Sequence, residues 1–311
     1  MTTMEATPST FCDDRVISGK KLAGHIEEEI AREVARLTEA YGAPPKLVTV
    51  QVGEDPGSTM YVRMKHKACA RVGIASGQYN LPDNTTEDQL IDLIHTLNHD
   101  VSVSGILVQL PLPKHISEER IISAVEPTKD VDGFSPTNIY RLFYGSELLG
   151  AATPQGIATI LDHLGVPLQG KHAVIVNRST IVGKPLVMML LNRDLTVTVC
   201  HSKTRDLPSF TRQADILVTA IGRRKSKEDP FFITADMVKE GAIVIDVATP
   251  NGDCDTEALK CKVSYITPVP GGVGPMTITM LLKNVLSAYA FDKAMANVLT
   301  GDAIDLGTYS S

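Results

Sequence analysis

Tyr61 and Lys65 form the pair whose spacing points most directly to chemistry. Apolar residues at helical spacing predict a helix from Ser58 to Val72, and residues four apart on a helix share one face. A lysine held against apolar neighbours has a lowered pKa, so it can transfer protons near neutral pH, and the tyrosine ring adds a flat surface beside it. The simpler alternative is an amphipathic surface pair.

Gln109 stands at the end of an apolar segment, Gly105 to Leu110, which predicts a strand. An amide at this place is suited to orient a lysine and to tune its pKa. Pro111-Leu-Pro113 then ends the strand at its carboxyl end, where open α/β sheets bind ligands. Taken alone, Gln109 is more simply a polar cap on the strand.

A second candidate site follows the β-rich segment Ala173 to Val176. The chain continues Asn177-Arg-Ser-Thr-Ile-Val-Gly183-Lys-Pro185, which puts polar donors and one glycine ahead of a predicted helix. Backbone N–H groups at a helix N-terminus bind phosphate. Because the G-x-G-x-x-G of dinucleotide sites is absent, an ordinary strand-to-helix turn remains the alternative.

The end of the next strand indicates which dinucleotide is expected. NAD sites usually carry Asp or Glu there to bind the ribose 2′-hydroxyl, whereas this chain reads Cys200-His-Ser-Lys-Thr-Arg205. The side chains suited to hold a 2′-phosphate through charge-assisted hydrogen bonds are Arg178, Ser179, Ser202 and His201 or Lys203. The sequence therefore favours NADP over NAD, and the last two residues of the run are interpreted as solvated loop.

The loop from Tyr265 to Thr277 is rich in proline and glycine and lies between a predicted strand and a predicted helix. Glycine removes the Cβ that would keep a flat molecule away, and proline stiffens the backbone without adding a donor. This composition indicates a loop that approaches a ligand closely.

The elements that position these residues alternate between strand and helix, which implies parallel sheets with helices on both faces. In the first half, helices are predicted from Leu22 to Gly42, 58 to 72 and 86 to 97, and strands at 47–52, 78–81 and 106–110. In the second half, five strands are predicted at 173–176, 196–200, 216–219, 243–247 and 263–266, followed by a long helix from about Met276. The expected fold class is α/β, with two domains around a cleft and a second domain that is a Rossmann-like doubly wound sheet.

The pause in this alternation after residue 133 sets the expected domain limits. They are 1–152 with a C-terminal helix at about 279–299, then 153–278, then a disordered tail at 300–311; residues 1–13 are also expected to be disordered.

Composition excludes several classes of function. The net charge of −6, with no basic stripe among the aromatic residues, argues against nucleic acid as a partner. No apolar run reaches the roughly 18 residues of a membrane span, and without a transit signal a cytoplasmic location is expected. The five cysteines form no C-x-x-C pair and the eight histidines form no H-E-x-x-H motif. Asp130-Val-Asp132-Gly133 is interpreted as a turn, so no metal is expected.

Taken together, these motifs resemble the bifunctional 5,10-methylenetetrahydrofolate dehydrogenase and 5,10-methenyltetrahydrofolate cyclohydrolase family, often called FolD. The resemblance extends from about Val16 to Ala290. The segments that carry it are Tyr61 to Lys65, Gly105 to Pro113, Lys129 to Gly133, Thr153-Pro154, Arg178-Ser179, Val182 to Pro185, His201 to Thr204 and Pro268 to Thr277.

The resemblance implies folate on the first domain and NADP on the second. Lys65 is then the acid/base, Gln109 adjusts it, Tyr61 packs on the folate, and Asp132 hydrogen-bonds the pterin ring. The remaining residues that it implies for folate are Pro268, Gly271 and Gly272. For NADP it implies Asn177, Arg178, Ser179, Val182, Gly183, Pro185, His201, Ser202 and Thr277. It also implies a homodimer, formed through the second domain.

Three departures from the family pattern limit these expectations. Asn177 replaces the common glycine, Asp246-Val-Ala-Thr-Pro250 replaces Asp-Val-Gly-Ile-Asn, and Arg223 to Pro230 form an insert that is interpreted as solvated surface. The alternatives are a dehydrogenase with little cyclohydrolase activity and a catalytically silent NADP-binding protein. Retention of Tyr61, Lys65, Gln109 and Asp132 together argues against the silent protein.

Overall fold

The computed structural model describes residues 13–300 and divides them into two compact units. The three-stranded unit contains His25–Ala152 and the chain from Ile278 onward, and the five-stranded unit contains residues 13–24 and Thr153–Thr277. The predicted disorder of residues 1–12 and 301–311 lies outside the described residues.

The three-stranded unit is built on a parallel sheet of order β2-β1-β3. Its strands are β1 (Lys46–Val52), β2 (Ala75–Leu81) and β3 (Gly105–Val108), and its helices are α2 (Pro56–Val72), α3 (Glu87–His99), α4 (Glu118–Ala124) and α5 (Pro136–Phe143). Helix α1 (Gly19–Tyr41) belongs to this unit from His25 onward.

Alternation along β1 separates a core face from a polar face. Val48, Val50 and Val52 are buried in one apolar cluster, together with residues of α3 that recur at helical spacing, Leu90, Ile94 and Leu97. The intervening Thr49 and Gln51 are also buried, but they point to the other face. Hydrogen-bonding side chains are therefore available on the side of β1 that faces α2.

The five-stranded unit is a parallel sheet of order β5-β4-β6-β7-β8. Its strands are β4 (His172–Val176), β5 (Thr196–Cys200), β6 (Ile216–Thr219), β7 (Ile243–Asp246) and β8 (Tyr265–Ile266). Its helices are α6 (Ala152–His163), α7 (Gly183–Leu191), α8 (Leu207–Thr211), α9 (Thr256–Leu259) and the start of α10 (Val273–Thr300). Residues 13–24 join it because the Ile17 N–H donates to the Ile266 carbonyl at 2.8 Å.

The predicted fold class is confirmed: both sheets are parallel and helices alternate with strands. Helix α4 was not predicted, because its seven residues give too short an apolar repeat. Helix α2 starts at Pro56, two residues earlier than predicted. Pro56 lies in the first turn, where a proline is tolerated, and Asp55 caps the helix. Within residues 13–300, no helix is long and apolar enough to cross a membrane.

Candidate active site

Helix α2 is fixed to the polar face of β1 by side-chain hydrogen bonds. The Gln51 amide donates to Thr59 Oγ1 at 3.0 Å, and Thr49 Oγ1 lies 2.9 Å from His66 Nε2. Because these bonds hold the helix at two points about two turns apart, they set the direction in which Lys65, next to His66, leaves it. The polar residues of β1 therefore act on the site through α2.

Lys65 is bonded to Gln109, which follows β3. Lys65 Nζ donates to Gln109 Oε1 at 3.0 Å, and Gln109 Nε2 donates to the Leu110 carbonyl at 2.7 Å. The Gln109 backbone N–H continues the ladder with β1 by donating to the Val50 carbonyl at 2.8 Å. The amide is thus oriented at both ends, and its oxygen faces the lysine.

Charge and burial shift the pKa of both ionisable groups at this site. Burial lowers the pKa of Lys65, and the negative charge of Asp132 partly offsets that effect. Burial also raises the pKa of Asp132 to about 6, with Lys65 acting to lower it and Asp130 acting to raise it. A half-buried amine with a lowered pKa beside a carboxyl with a raised one is suited to move protons near neutral pH.

Asp130 holds the turn that carries Asp132. Its carboxylate accepts hydrogen bonds from the Gly133 N–H at 3.0 Å, from the Ser135 N–H at 2.7 Å and from the Asn138 amide at 3.0 Å. Gly133 has a φ of +73°, a conformation in which an L side chain is strained. The sequence indicated this turn but gave no role to Asp130.

Asn284, on α10, is a further residue that sequence reasoning missed. Its buried amide donates to the carbonyls of Val131 and Gly150, at 2.8 Å each, and so fixes the backbone immediately before Asp132. A buried asparagine in an otherwise apolar helical stretch was the signal that could have found it.

Tyr61 lies one helical turn before Lys65 and is exposed. The structure therefore brings together three of the four residues expected at the chemical site, Lys65, Gln109 and Asp132. It leaves the Tyr61 ring accessible on the same helix face.

A cavity of about 250 Å³ lies at the carboxyl ends of β4, β5 and β6. Five of the residues expected to bind the cofactor line it: Asn177, Arg178, Ser179, His201 and Ser202. The other residues of its lining are Val176, Leu207, Ala220, Ile221, Arg223 and Phe232. The described residues that line this cavity include no Asp or Glu, which fits an anionic group such as a phosphate.

Asn177 connects two loops of this cavity. Its amide donates to the Ala220 carbonyl at 2.6 Å, and its side-chain oxygen accepts from the Ser179 N–H at 2.7 Å. The departure from glycine therefore joins the loop after β4 to the loop after β6.

Gly183 cannot be replaced without a clash, because a Cβ there would lie 2.6 Å from Asn177 Oδ1. Ser179 Oγ accepts from the Val182 N–H at 3.1 Å and from the Gly183 N–H at 3.4 Å, so it provides a partner for two backbone N–H groups where α7 starts. Val182, Gly183 and Pro185 are not among the lining residues; they lie at the start of α7, which follows the turn with Arg178 and Ser179.

His201 has a defined ring orientation at the end of β5. The Lys203 N–H donates to His201 Nδ1 at 3.1 Å, so the ring proton of the neutral imidazole lies on Nε2. Thr204 Oγ1 accepts from the His201 N–H at 2.9 Å, which gives Thr204 a structural role in place of the expected solvated one.

The proline and glycine loop closes on itself before α10. The Gly272 N–H donates to the Pro268 carbonyl at 2.9 Å, and a Cβ on Gly272 would lie 2.6 Å from that same oxygen. Gly271 has a φ of +102°, with open space where its Cβ would be. Thr277 Oγ1 lies 3.0 Å from Thr153 Oγ1, and Thr277 is not part of the cavity lining.

The segment that departs from the family pattern after β7 is held by two buried carboxylates. Asp246 accepts from the backbone N–H groups of Ala248, Asp253 and Cys254, at 2.7 to 3.0 Å. Asp253 accepts from the Thr219 hydroxyl at 2.6 Å and from the N–H groups of Ile221 and Gly222. These contacts fix the loop after β6, which lines the cavity.

Two family models match the chain and divide it near residue 150. The tetrahydrofolate dehydrogenase/cyclohydrolase catalytic domain matches residues 17–132, and the NAD(P)-binding domain of the same enzymes matches residues 151–293. The chain belongs to the tetrahydrofolate dehydrogenase/cyclohydrolase family. Lys65, Gln109 and Asp132 fall within the catalytic match, and the whole lining of the cavity falls within the NAD(P)-binding match.

Curated relatives in this family are similar over nearly their whole length. The bifunctional protein FolD of Moorella thermoacetica is 50% identical over 281 residues, covering 88% of this chain and 98% of the relative. That of Halothermothrix orenii is 51% identical over 282 residues, covering 88% and 97%.

Solved structures of the family superimpose on the chain. The bifunctional enzyme FolD of Campylobacter jejuni has a TM-score of 0.82 at 45% identity, covering 88% of this chain and 97% of its own. The Trypanosoma brucei methylenetetrahydrofolate dehydrogenase-cyclohydrolase, solved as a complex with NADP cofactor and inhibitor, has a TM-score of 0.82 at 36% identity, covering 88% and 96%.

Proposed function

We propose that this chain oxidises 5,10-methylenetetrahydrofolate with NADP and hydrolyses the methenyl product to 10-formyltetrahydrofolate. The folate binds to the three-stranded unit and NADP to the five-stranded unit. The observation that carries the proposal is the half-buried Lys65, with a lowered pKa, bonded to Gln109 at 3.0 Å and influenced by the charge of Asp132. A protein that only binds a nucleotide has no need of such a group.

Lys65 accepts and donates protons in the reaction. When bound, NADP would supply the acceptor for the hydride of the methylene carbon. In the hydrolysis, the neutral amine of Lys65 takes a proton from the water that adds to the methenyl carbon, and a lowered pKa increases the fraction of that amine. The ammonium then gives a proton to N5 as the bond between N5 and this carbon breaks. The hydroxyl proton leaves to solvent as the formyl C=O forms, so one water is consumed and one proton is released.

The neighbouring residues position the folate and the lysine. Gln109 accepts a hydrogen bond from Lys65 and so directs it. We assign to Asp132 a hydrogen bond with the pterin ring and to the exposed Tyr61 ring a stacking contact with the folate. Pro268, Gly271 and Gly272 complete the proposed folate contacts, because a loop without Cβ atoms admits a planar group.

NADP is held by residues of the five-stranded unit. Arg178 and Ser202 bind the 2′-phosphate, and His201 donates from Nε2. Asn177, Ser179, Val182, Gly183 and Pro185 form the strand-to-helix turn beneath the cofactor, and Thr277 contributes from the start of α10. The anion-compatible lining of the cavity supports this assignment.

The test is the initial rate of 5,10-methylenetetrahydrofolate oxidation with NADP and, in parallel, with NAD, followed by hydrolysis of added methenyltetrahydrofolate. Turnover with NADP well above NAD, together with hydrolysis, is expected for the wild type. Lys65→Met is expected to lose at least about a hundredfold in hydrolysis while keeping NADP affinity. A Lys65→Met variant that retains both activities would contradict the mechanism. A wild type that catalyses the oxidation but not the hydrolysis would favour a dehydrogenase alone.

We further propose a cytoplasmic homodimer whose interface lies on the five-stranded unit. Strand β5 lies at the end of the described sheet and carries the half-exposed Val199, and such edges pair readily with a second chain. Light scattering after gel filtration tests the dimer, and cell fractionation tests the location.

A further inference from the structure

The insert after β6, expected to be solvated surface, is organised around a buried cation. Arg224 is 8% exposed, and its guanidinium donates to the carbonyls of Asp229 at 2.9 Å, Lys227 at 2.8 Å and Asn251 at 2.5 Å. The same group lies 3.8 Å from the centre of the Phe231 ring. A planar group with five donors can hold several carbonyls at once, so the insert has one defined backbone path.

The residues before Arg223 are fixed as well. The buried carboxylate of Asp253 accepts from the Ile221 N–H at 2.7 Å and from the Gly222 N–H at 3.0 Å. Arg223 therefore stands between a fixed Gly222 and a buried Arg224, and its backbone position is set on both sides. Arg223 itself is exposed, and it is one of the residues that line the cofactor cavity.

The lining of the cavity consequently includes two arginines, Arg178 from the loop after β4 and Arg223 from the loop after β6. Ser202 and His201 enter from the loop after β5. In a doubly wound sheet the ribose of the adenosine half lies at the end of the strand that follows the phosphate turn, which is β5 here. Two such cations exceed what a neutral 2′-hydroxyl requires and match a phosphate with close to two negative charges.

We propose that Arg223 is a specificity-determining residue, which binds the 2′-phosphate of NADP together with Arg178. The inference rests on the proposed function in that the cofactor is NADP. The insert then has a role: it presents a second guanidinium, and the neighbouring Arg224 holds the loop that carries it.

The test is the dissociation constant of NADP, NAD and 2′,5′-ADP, measured by titration calorimetry without folate and therefore without turnover. Arg223→Gln is expected to weaken NADP and 2′,5′-ADP by roughly tenfold to a hundredfold and to change NAD by less than about twofold. The NADP affinity of the variant is also expected to depend less on salt concentration. Lys227→Gln is the matched control, because it removes the same charge from the same insert at an exposed residue outside the cavity lining.

Equal weakening of NADP and NAD would overturn the proposal, since it would indicate contact with the adenine or the pyrophosphate. Unchanged NADP affinity in Arg223→Gln, or the same loss in Lys227→Gln, would overturn it too. In each of these cases a wild type that prefers NADP leaves the proposed function intact. A wild type that does not prefer NADP over NAD overturns both.

Discussion

Lys65 and Gln109 are 44 residues apart in sequence, yet the lysine Nζ donates to the glutamine Oε1 at 3.0 Å. One residue comes from the middle of α2 and the other from the end of β3, the strand beside β1. The Gln109 oxygen can accept a bond from either form of the lysine, but it favours the charged one. Burial and the charge of Asp132 shift the pKa of Lys65, and we propose that Gln109 adjusts it further through this bond.

Replacing Gln109 should move the pH dependence of hydrolysis in opposite directions according to the charge introduced. Gln109→Leu removes the oxygen that accepts a hydrogen bond from the Lys65 ammonium, so the pKa of Lys65 falls further. The part of the pH profile that reports the titration of Lys65 then moves to lower pH. Gln109→Glu adds a negative charge, so that part of the profile moves to higher pH. The measurement is the rate constant of hydrolysis from pH 5 to 10; shifts of the same sign in both variants would refute this role.

Asp132 should produce an acid limb near its pKa of about 6. As pH falls through this value, the carboxylate that is proposed to bind the pterin is neutralised, and kcat/KM for the folate is expected to decrease. Asp132→Asn should have a lower kcat/KM without this limb. A variant that kept the wild-type limb would show that another group titrates.

Stability gives an independent check on Asp132, with a definite sign. Because its folded pKa is raised from 3.8 to about 6, the folded state binds the proton more tightly than the unfolded chain does. That contribution to the free energy of unfolding is full below about pH 3.8 and is lost as pH rises to about 6. The difference in Tm, Asp132→Asn minus wild type, should therefore be more positive at pH 7 than at pH 4.

Gly183→Ala should weaken NADP binding by at least about tenfold. Its Cβ would lie 2.6 Å from Asn177 Oδ1, and the turn that carries Arg178 and Ser179 would have to shift. Gly24→Ala is the control, because a Cβ there meets no atom within 4 Å and alanine favours the helix. Calorimetric NADP affinity is the measurement, and equal affinities in the two variants would contradict the predicted clash.

Asn284→Leu should lower the free energy of unfolding by about 3 kcal/mol, because it leaves the Val131 and Gly150 carbonyls buried without a donor. It should also weaken folate binding, since Val131 precedes Asp132. Lys283→Leu, at an exposed position of the same helix, is the control. Urea denaturation measures the stability, and the KM for the folate measures the effect on binding. A wild-type KM in Asn284→Leu would show that Asn284 does not influence the folate site.

The sequence was sufficient for most elements, because apolar periodicity reports directly which face of a helix or strand is buried. The helix predicted at 86–97 is α3, and the strand predicted at 47–52 is β1; the residues that each of them buries, such as Leu90 and Ile94 in α3, recur at the spacing of that element. The insert at Arg223 was misread because its charge suggested solvent, whereas carbonyl groups from Asp229 and Asn251 surround Arg224. Such carbonyls have no signature in side-chain composition.

By itself, the sequence determined the α/β class, the family, and the candidate residues Lys65, Gln109 and Asp132, because helical period, strand period and motif spacing are local properties. The tertiary structure decided that the lysine meets the glutamine, that Asp130 and Asn284 hold the turn of Asp132, and that Arg223 faces the cofactor cavity. These facts depend on which strands are neighbours and on which groups lose water when the chain folds. The pairing of strands and the loss of water are both set by contacts between residues far apart in the chain, and local sequence patterns do not report such contacts.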